Sequence, residues 1–566
     1  MDYKKSYEAW KNHVTETELK EELERIAGND KKIEDRFFKD LTFGTGGLRG
    51  IIGAGDNRMN TFTVKKASQG LADYLNNHYE APSIAIAYDS RKNSDAFAYA
   101  AAEVFAANNI HVYLYKELMP TPMLSFAVRE LQCSAGVVVT ASHNPAEYNG
   151  YKVYGSDGCQ ITLEAAHEIT GFIEEIDIFE DVKNMAFDEA LKAEMVQYIK
   201  QGVLDRYYEE VLKCSVYGGT AKAGLSVVYT PLNGAGNKPV RHILDKIGIS
   251  SPIIVAEQEE PDADFTTCPF PNPEEKEALD LGLKLMKKEN ADLLLATDPD
   301  CDRVGTAVKH NGEYLLVSGN QMGVLLFDFI CRMRKEQDTL PQKPFAVKTI
   351  VTTEMAQSVA DSYGVELMNV LTGFKFIGEQ IGLLEKANEE SRYIFGFEES
   401  YGYLSGAYVR DKDAVNASML ICEMAAYYKQ QSKTLIDRLQ QLYKEHGYYF
   451  DKLDSTAYKG AKGMQQMNGI MEKLRQNPPN MVGGITVTSV CDYLSQTKSE
   501  GDRTEPLNLP SSDVIGLHLA GGSSIVVRPS GTEPKLKVYY SLKCKDEAES
   551  NVLFPKMKND MDSILK

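Results

Sequence analysis

Three aspartates at alternate positions are the strongest chemical signal in the sequence. Asp298, Asp300 and Asp302 directly follow the apolar run Leu293–Thr297. Carboxylate oxygens are the ligands that hard divalent cations such as Mg²⁺ prefer. A straight strand would separate alternate side chains by roughly 6.6 Å, which is too far for all three to bind one ion. We therefore predict a metal-binding loop that curls, and Pro299 favours such a turn.

Two known loop types compete with this interpretation. An EF-hand loop starting at Asp298 needs Gly at its sixth position and Glu at its twelfth, where this chain has Arg303 and Lys309. The stretch from Asp300 to Val304 also matches the D-x-D-x-[TV] pattern of haloacid-dehalogenase-type phosphotransferases, whose first Asp is the nucleophile. That motif usually lies near the chain start, whereas here it lies mid-chain. An aspartyl-phosphate transferase or phosphatase using Asp300 is the alternative from another enzyme class, and a solvated acidic turn is the non-functional one.

A serine follows another predicted strand. Val137–Thr140 is apolar and leads into Ala141-Ser142-His143-Asn144-Pro145. In open α/β sheets ligands bind beyond the carboxyl ends of the strands, so Ser142 lies where a nucleophile is expected. An ordinary turn is the alternative, because Ser, Asn and Pro are common turn residues. A hydrolase triad is disfavoured, since neighbouring side chains such as Ser142 and His143 usually diverge and the G-x-S-x-G elbow is absent.

Three further clusters carry polar chemistry. Arg528–Lys535 combines a guanidinium, two hydroxyls and turn amides, which suits a phosphate group, although a tight turn with an incidental Arg fits as well. Phe397–Ser400 offers two carboxylates and a hydroxyl for sugar hydroxyls, and two acids are also unremarkable in an acidic chain. Phe43–Gly50 is Gly-rich but lacks the G-K-[ST] ending of a nucleotide P-loop, which leaves Arg49 as a candidate anion contact.

The elements that must position these residues follow an α/β pattern. Short apolar, β-branched runs alternate with helical patterns through about the first 420 residues, as expected for parallel strands buried on both faces. The predicted strands are Ser83–Tyr88, Ile110–Tyr115, Gly136–Thr140, Leu225–Thr230, Leu293–Thr297, Phe345–Val351 and Tyr393–Phe397. The predicted helices are Ser94–Asn108, Pro122–Leu131 and Lys238–Ile247.

The C-terminal part has a different pattern of predicted helices and strands. Gly463–Leu474 is predicted to be a helix and Gly484–Val490 a strand. Ser523–Val527 and Lys535–Leu542 flank a turn-rich segment, which predicts an antiparallel pair in an α+β domain. Tyr448–Lys462, with its scattered polar residues, is interpreted as a linker.

Length and composition limit the class of protein. A chain of 566 residues is too long for one core and predicts roughly three to five domains. Its net charge of −19 argues against nucleic acid and anionic membranes as partners. The sequence has neither a signal-peptide pattern at its start nor an apolar run of about 20 residues. Nine scattered cysteines without a C-x-x-C pair indicate reduced thiols and a cytoplasmic protein.

The order of the four loops resembles that of a known family. Thr140–Pro145, Asp298–Arg303, Glu398–Ser400 and Arg528–Pro534 together resemble the α-D-phosphohexomutase superfamily over nearly the whole chain. Residues 44–50 and 396–403 look like its bacterial phosphoglucomutase branch, which is related to the phosphopentomutase-like and glucose-1,6-bisphosphate synthase-like mutases of animals. The resemblance implies three α/β domains with mixed sheets plus a C-terminal α+β domain around a central cleft. The expected boundaries are 1–215 with the phosphoserine loop, 216–320 with the metal loop, 321–447 with the sugar loop and 448–566 with the phosphate loop.

The resemblance also implies a role for each matching residue. Ser142 matches the serine that carries the phosphoryl group, and a phosphate oxygen on it joins Asp298, Asp300 and Asp302 as a magnesium ligand. The other catalytic matches are Arg49, His143, Lys152 and Arg303, of which Lys152 or His143 is the expected general base. The substrate-binding matches are Thr45, Gly373, Lys375, Glu398, Ser400, Lys412, Arg528, Ser530, Gly531 and Thr532.

The implied activity interconverts glucose 1-phosphate and glucose 6-phosphate through phosphorylated Ser142, with Mg²⁺ as cofactor and glucose 1,6-bisphosphate as intermediate and activator. The usual sugar loop has glycines flanking its contacts, whereas this chain has Phe397 and Tyr401. The departure leaves a phosphomannomutase or a phosphopentomutase open as alternatives. A small-molecule sugar phosphate is the expected partner, and the expected assembly is a monomer or a homodimer.

Overall fold

The computed structural model describes residues 2–44, 46–458, 460–530 and 535–565. The chain divides into two units, each with its own core. The first unit runs to Val317 and includes Gly378–Ser391 and Gly402–Gln430; the second comprises Ser318–Ile377, Arg392–Tyr401 and the chain from Gln431 onward.

The α-helices, numbered α1 to α18 in chain order, are Tyr3–His13, Thr17–Ile26, Asp30–Phe37, Thr61–His78, Ser94–Ala107, Thr121–Glu130, Leu163–Glu175, Phe187–Lys192, Gln201–Lys213, Asn237–Lys246, Asp280–Lys288, Gly319–Glu336, Met355–Tyr363, Phe374–Lys386, Ala414–Gln430, Leu435–His446, Gly460–Gln476 and Glu547–Ile564. The strands, numbered β1 to β23, are Leu48–Ile51, Ser83–Tyr88, His111–Leu114, Ala135–Val139, Tyr148–Gly155, Val196–Tyr198, Val227–Thr230, Ile253–Ile254, Leu293–Thr297, Val304–His310, Glu313–Val317, Phe345–Thr349, Glu366–Val370, Tyr393–Glu398, Gly402–Leu404, Tyr448–Ala457, Met481–Val482, Ile485–Asp492, Thr497–Glu500, Arg503–Pro506, Ile515–Leu519, Ser524–Pro529 and Lys535–Cys544.

Two mixed sheets form the centre of the first unit. One has the strand order β1-β5-β4-β2-β3-β6, in which β4, β2, β3 and β6 run parallel while β5 and β1 form an antiparallel edge. The other has the order β11-β10-β9-β7-β8, again parallel on one side and antiparallel on the other. Helices carry the crossovers between the parallel strands, as such connections require. The predicted α/β class with mixed sheets is confirmed.

The second unit combines a parallel sheet with an antiparallel one. β12 pairs in parallel with β13 and β14. The antiparallel sheet has the order β16-β23-β22-β21-β18-β19-β20, with β17 paired to β18. Helix α17 and the C-terminal helix α18 contribute Met467, Met471, Met557 and Met561 to its apolar core. The predicted antiparallel pair of Ser523–Val527 and Lys535–Leu542 corresponds to β22 and β23.

The predicted linker Tyr448–Lys462 is wrong. Tyr448–Ala457 is a strand that pairs with β23 over its full length. Most of the strand after Phe450 is partly or fully exposed, so the segment has no continuous apolar face. Its scattered polar residues therefore suggested a linker. Backbone hydrogen bonds to β23, rather than burial of side chains, determine that this segment is a strand.

The other predicted elements of both units agree with the structure within a few residues at each end. Ser83–Tyr88 and Leu293–Thr297 have the predicted bounds, and the predicted helix Gly463–Leu474 extends to Gly460–Gln476. All nine cysteines are buried free thiols. Within the described ranges no helix combines the length and apolarity needed to cross a membrane.

A buried carboxylate connects two segments of the first unit. Glu423 on α15 accepts hydrogen bonds from the Ser215 hydroxyl, from Val216 N at 2.9 Å and from Tyr217 N at 3.2 Å. These three residues follow α9 and lead to the second sheet. Burial raises the pKa of Glu423 to about 7, because the charged form loses most of its hydration.

We predict that Glu423→Gln removes a pH dependence of stability. A carboxyl whose pKa is raised in the folded state binds its proton more tightly there than in the unfolded chain, so stability is lost as pH rises from about 4.5 to about 7. The loss is up to about 3 kcal/mol, on the order of a few degrees in Tm. The Gln variant should therefore melt higher than the parent at pH 7.5 and equally at pH 5, measured by scanning calorimetry. The exposed Glu209→Gln is the control. The prediction is contradicted if Tm differs between pH 5 and pH 7.5 by the same amount in Glu423→Gln as in the parent.

Candidate active site

The serine loop follows β4 and holds Ser142 in an unusual backbone conformation. Ser142 has a φ of 51°, in the left-handed region that costs a non-glycine residue roughly 1–2 kcal/mol. Its backbone N–H donates to Thr140 Oγ1 at 2.7 Å, and the Thr140 hydroxyl donates to Asp89 Oδ2 at 2.6 Å. Only 3% of Ser142 is exposed. The turn is thus specified by hydrogen bonds rather than by local preference.

The aspartate loop connects β9 to the antiparallel β10 and curls as predicted. Asp298 Oδ1 accepts the backbone N–H groups of Asp302 and Arg303, both at 3.0 Å. Cys301, which lies between Asp300 and Asp302, has a φ of 52°. The carboxylates of Asp298, Asp300 and Asp302 are buried, and one ligand oxygen of each lies within 4.8 Å of the others. The curl overcomes the separation that a straight strand would impose.

The two loops meet through a direct hydrogen bond. Ser142 Oγ donates to Asp298 Oδ2 at 2.8 Å, although the residues are 156 positions apart in sequence. His143 Nδ1 lies 3.2 Å from the same Ser142 Oγ. Arg49 Nη1 donates to Asn144 Oδ1 at 3.4 Å, which places this guanidinium at the serine loop too. The structure therefore brings together the predicted nucleophile, the predicted metal ligands and two of the other catalytic candidates.

Cationic side chains surround the three carboxylates. Lys152 Nζ donates to Asp300 Oδ2 at 2.8 Å and lies 3.7 Å from Asp302 Oδ2. Lys412 Nζ is 2.9 Å from Asp302 Oδ2, and Arg303 Nε is 3.8 Å from Asp302 Oδ1. Both lysines are buried. Unlike charges at these distances offset part of the repulsion between the aspartates.

The protonation preferences of the loop follow from these neighbours. Burial, reinforced by the charges of Asp300 and Asp302, raises the pKa of Asp298 well above its usual range. Burial acts on Asp300 in the same direction, but the adjacent Lys152 ammonium outweighs it and lowers the pKa of that carboxyl. Burial, together with the guanidinium groups of Arg303 and Arg49, lowers the pKa of His143 well below its usual value.

The aspartate loop fits a hard divalent cation. Asp300 Oδ1 and Asp302 Oδ1 are buried and accept no hydrogen bond within the part of the chain that the structure describes. A buried carboxylate oxygen without a donor is costly, and coordination to a cation would satisfy it. The donor set consists only of carboxylate oxygens and is the type that Mg²⁺ and Ca²⁺ prefer.

A glycine allows Lys152 to reach this site. β5 carries Lys152 and pairs with β4, so that Lys152 lies opposite Val138. A Cβ atom at Gly150 would lie 2.4 Å from Thr140 O, which is closer than any real contact allows. Only glycine therefore lets β5 approach the start of the serine loop.

Three residues that hold these loops were not among the predicted site residues. Thr121, the first residue of α6, donates its hydroxyl to Asp300 Oδ2 and its backbone N–H to Asp300 O, both at 2.9 Å. Asp89 and Arg91 follow β2 and contact the serine loop. The rule that placed Ser142 beyond the end of a strand applies equally to Asp89 and Arg91 and could have found them.

The other candidates belong to the second unit, apart from those outside the described ranges. Glu398, at the end of β14, is 7% exposed, and its Oε1 accepts the Gly373 N–H at 2.9 Å. Ser400 and Lys375 are partly exposed. Arg528 lies on β22 opposite Lys537, and Ser530 N donates to Lys535 O at 2.8 Å. Thr45, Gly531 and Thr532 lie outside the described residues.

Three successive segments of the chain match known protein domains. Residues 40–179, 205–312 and 318–446 match, in that order, the α/β/α domains I, II and III of phosphoglucomutase/phosphomannomutase. A phosphoglucomutase of Staphylococcus aureus strain COL is 39% identical over 543 residues, which is 95% of each chain. The phosphoglucomutase of another strain of that species is 38% identical over 545 residues, 95% of this chain and 96% of the relative.

Solved structures share the fold at lower identity. A phosphoglucomutase/phosphomannomutase family protein of Burkholderia thailandensis superposes with a TM-score of 0.67 at 16% identity, covering 92% of this chain and 97% of the other. Parafusin, a phosphoglucomutase of Paramecium, gives a TM-score of 0.67 at 17% identity, covering 93% of this chain and 94% of its own. Since the three domain matches cover more than half of the chain and agree with relatives of 38–39% identity, the chain belongs to the phosphoglucomutase/phosphomannomutase family.

Proposed function

We propose that this protein interconverts glucose 1-phosphate and glucose 6-phosphate by carrying a phosphoryl group on Ser142, with glucose 1,6-bisphosphate as the intermediate. The observation that carries the proposal is the hydrogen bond of 2.8 Å from Ser142 Oγ to Asp298, in a loop of three buried carboxylates. The relatives named phosphoglucomutase support glucose as the sugar. Phosphoryl transfer depends mainly on positioning and charge neutralisation, which a buried serine among fixed charges supplies.

The proposed cycle moves one phosphoryl group in each direction. A hydroxyl of glucose monophosphate attacks the phosphorus on Ser142, the bond from phosphorus to Ser142 Oγ breaks, and Lys152 or His143 takes the proton of the hydroxyl. The bisphosphate turns over, its other phosphate passes to Ser142 Oγ, and the proton returns to the departing sugar oxygen. Arg303 offsets charge on the transferring oxygens. Lys152 Nζ lies at hydrogen-bond distance from Asp300 of the aspartate loop, and it must give up its own proton before it can accept one from the sugar hydroxyl.

Asp298, Asp300 and Asp302 would hold Mg²⁺ together with an oxygen of phosphorylated Ser142. Bound there, the cation supplies neutralisation of the charge that develops on the phosphoryl oxygens. The two buried carboxylate oxygens without hydrogen-bond donors in the described ranges support this assignment.

We also propose the remaining assignments from the sequence. Glu398 and Ser400 bind sugar hydroxyls, Gly373, Lys375 and Lys412 contact the substrate, and the Arg528 loop binds the phosphate that does not react. Thr45, Gly531 and Thr532 join these contacts. The four domains keep the boundaries 1–215, 216–320, 321–447 and 448–566. The enzyme acts in the cytoplasm on a small sugar phosphate, as a monomer or homodimer.

We expect Ser142→Ala to lose nearly all turnover while keeping its fold, because the substitution removes the hydroxyl oxygen that carries the phosphoryl group in the proposed cycle. Freshly isolated parent protein should show a mass increment of one phosphate on the peptide containing Ser142, and the label should survive hydroxylamine, which cleaves an acyl phosphate. The exposed Ser156→Ala is the control. Wild-type mutase activity in Ser142→Ala, or a label that hydroxylamine removes, would instead support the aspartyl-phosphate mechanism through Asp300.

We expect a chelator to abolish activity and Mg²⁺ to restore it. Asp300→Asn should lower kcat by at least about a hundredfold with a smaller change in KM, because the carboxylates act mainly on charge that develops in the transition state. Steady-state kinetics at saturating Mg²⁺ measure both constants, with the exposed Asp280→Asn as the matched control. Full activity in excess chelator would rule out the metal role.

We expect glucose 1-phosphate to be the best substrate, with measurable mannose 1-phosphate activity. Equatorial O3 and O4 keep similar places when the sugar turns end for end, whereas glucose and mannose differ only at O2. Losing a charged hydrogen bond costs about 1.5–3 kcal/mol, so Glu398→Gln should lower kcat/KM on both hexoses by about ten- to a hundredfold. The ratio of the two values should change little, and the exposed Glu472→Gln serves as the control.

A loss confined to glucose 1-phosphate would show that Glu398 contacts O2 and would overturn this assignment. Faster turnover of ribose 1-phosphate than of glucose 1-phosphate by the parent would overturn the choice of sugar and leave the mutase chemistry.

A further inference from the structure

A buried arginine binds the backbone of the serine loop. Arg91 Nη2 donates to the carbonyl oxygens of Ser142 and Asn144, both at 2.5 Å. Its Nη1 donates to Pro145 O at 2.9 Å and to Tyr148 O at 3.1 Å. Three carbonyl oxygens of the serine loop and one at the start of β5 therefore converge on a single guanidinium. Carbonyl groups arranged in this way repel one another unless a cation lies between them.

The same arginine is connected to the other side of the serine. Arg91 Nε lies 3.4 Å from Asp89 Oδ2, and neither side chain is exposed. Asp89 Oδ2 accepts the Thr140 hydroxyl, whose oxygen in turn accepts the Ser142 N–H. The N–H and the C=O of Ser142 thus both lead to the Asp89–Arg91 ion pair. This pair therefore restrains the peptide groups on both sides of the left-handed residue.

An aromatic ring from the part of the chain that carries the aspartates covers the arginine. Arg91 Cζ lies 5.0 Å from the ring centroid of Phe265, which is fully buried. Phe270, five residues further on, contacts the ring of His143 edge-on with a centroid distance of 6.4 Å. Excluding water from the guanidinium strengthens its hydrogen bonds to the loop and adds a cation–π contact.

We propose that Arg91 is a positioning residue that imposes the backbone conformation in which Ser142 Oγ faces Asp298. Its Nη1 and Nη2 each donate to two carbonyl oxygens, a fork that the single ammonium of a lysine cannot reproduce. The inference rests on the proposed role of Ser142 as phosphoryl carrier. It assigns no contact between Arg91 and the substrate, so the residue acts on the rate of transfer rather than on substrate binding.

The test is the transfer step in Arg91→Lys, which keeps the charge and most of the volume. Dephosphorylated protein is mixed with glucose 1,6-bisphosphate, and phosphate on Ser142 is followed by mass spectrometry in a single turnover. We expect transfer, and kcat, to fall about a hundredfold, the effect of a misplacement of about 1 Å, while KM for glucose 1-phosphate stays within about threefold. Amide hydrogen exchange should rise in the peptide spanning residues 141–148 more than elsewhere.

Arg438→Lys is the matched control, because Arg438 is a buried arginine of the second unit that binds Asp328 through two nitrogens at 2.8 and 2.9 Å. Both variants should lose some thermal stability, but only Arg91→Lys should lose transfer rate. If Arg91→Lys does not fold, the same transfer measurement on Phe265→Leu tests the proposal. Removing the ring that covers Arg91 should slow transfer to Ser142 severalfold.

Parent-like transfer in Arg91→Lys, or slow transfer with unchanged exchange of residues 141–148, would overturn the inference. In Phe265→Leu, parent-like transfer would do the same. If the parent itself takes up no phosphate on Ser142, the proposed function has failed instead, and the two failures are distinguished by that first measurement.

Discussion

The burial of three carboxylates beside one serine hydroxyl is the constraint on which the first unit depends. Two like charges about 4 Å apart repel by roughly 4 kcal/mol at the effective dielectric constant of a protein surface, and by more when water is excluded. Ligand oxygens of Asp298, Asp300 and Asp302 lie within 4.8 Å of one another. The buried ammonium groups of Lys152 and Lys412, at hydrogen-bond distance from Asp300 and Asp302, offset part of this repulsion. Each cation comes from a distant part of the chain, so the site exists only when the surrounding elements are assembled.

Both loops of the site also contain a residue in a conformation that its side chain disfavours. Ser142 and Cys301 have φ values of 51° and 52°. Non-glycine residues in this region persist only where the surroundings determine them, and such residues cluster at functional sites. At Cys301 the turn lets the aspartates on either side point toward one centre. At Ser142 the left-handed conformation directs the hydroxyl to Asp298. The same backbone conformation therefore has a different role in each loop.

The sequence predicted the parts of the site that depend on local pattern. Ser142 and the aspartates each follow a buried strand, and the rule for the carboxyl ends of strands is enough to place them. Arg91 also follows a strand, but no motif drew attention to it, because the four carbonyl oxygens that it binds lie 51 to 57 positions away. Tyr448–Ala457 was misassigned for a related reason: its pairing partner β23 begins about 80 residues later, and side-chain pattern carries no information on that pairing. The clusters around Glu398 and Arg528 were suggested by residue type and chosen over ordinary turns by the resemblance, and their own contacts do not identify a ligand.

Strand register explains why an antiparallel edge is built onto an otherwise parallel sheet. β5 places Gly150 opposite Arg49 of β1 and Lys152 opposite Val138 of β4, so Arg49 and Lys152 share one face. Tyr151, between them, points to the other face, where it is fully buried and its hydroxyl lies 2.9 Å from Ser68 Oγ of α4. A slip by one residue would bury the Lys152 ammonium in that core and expose the tyrosine to the aspartates. The packing of Tyr151 on one face of β5 therefore fixes the position of Lys152 on the other face, and hydrophobic packing supplies the accuracy that the charged site requires.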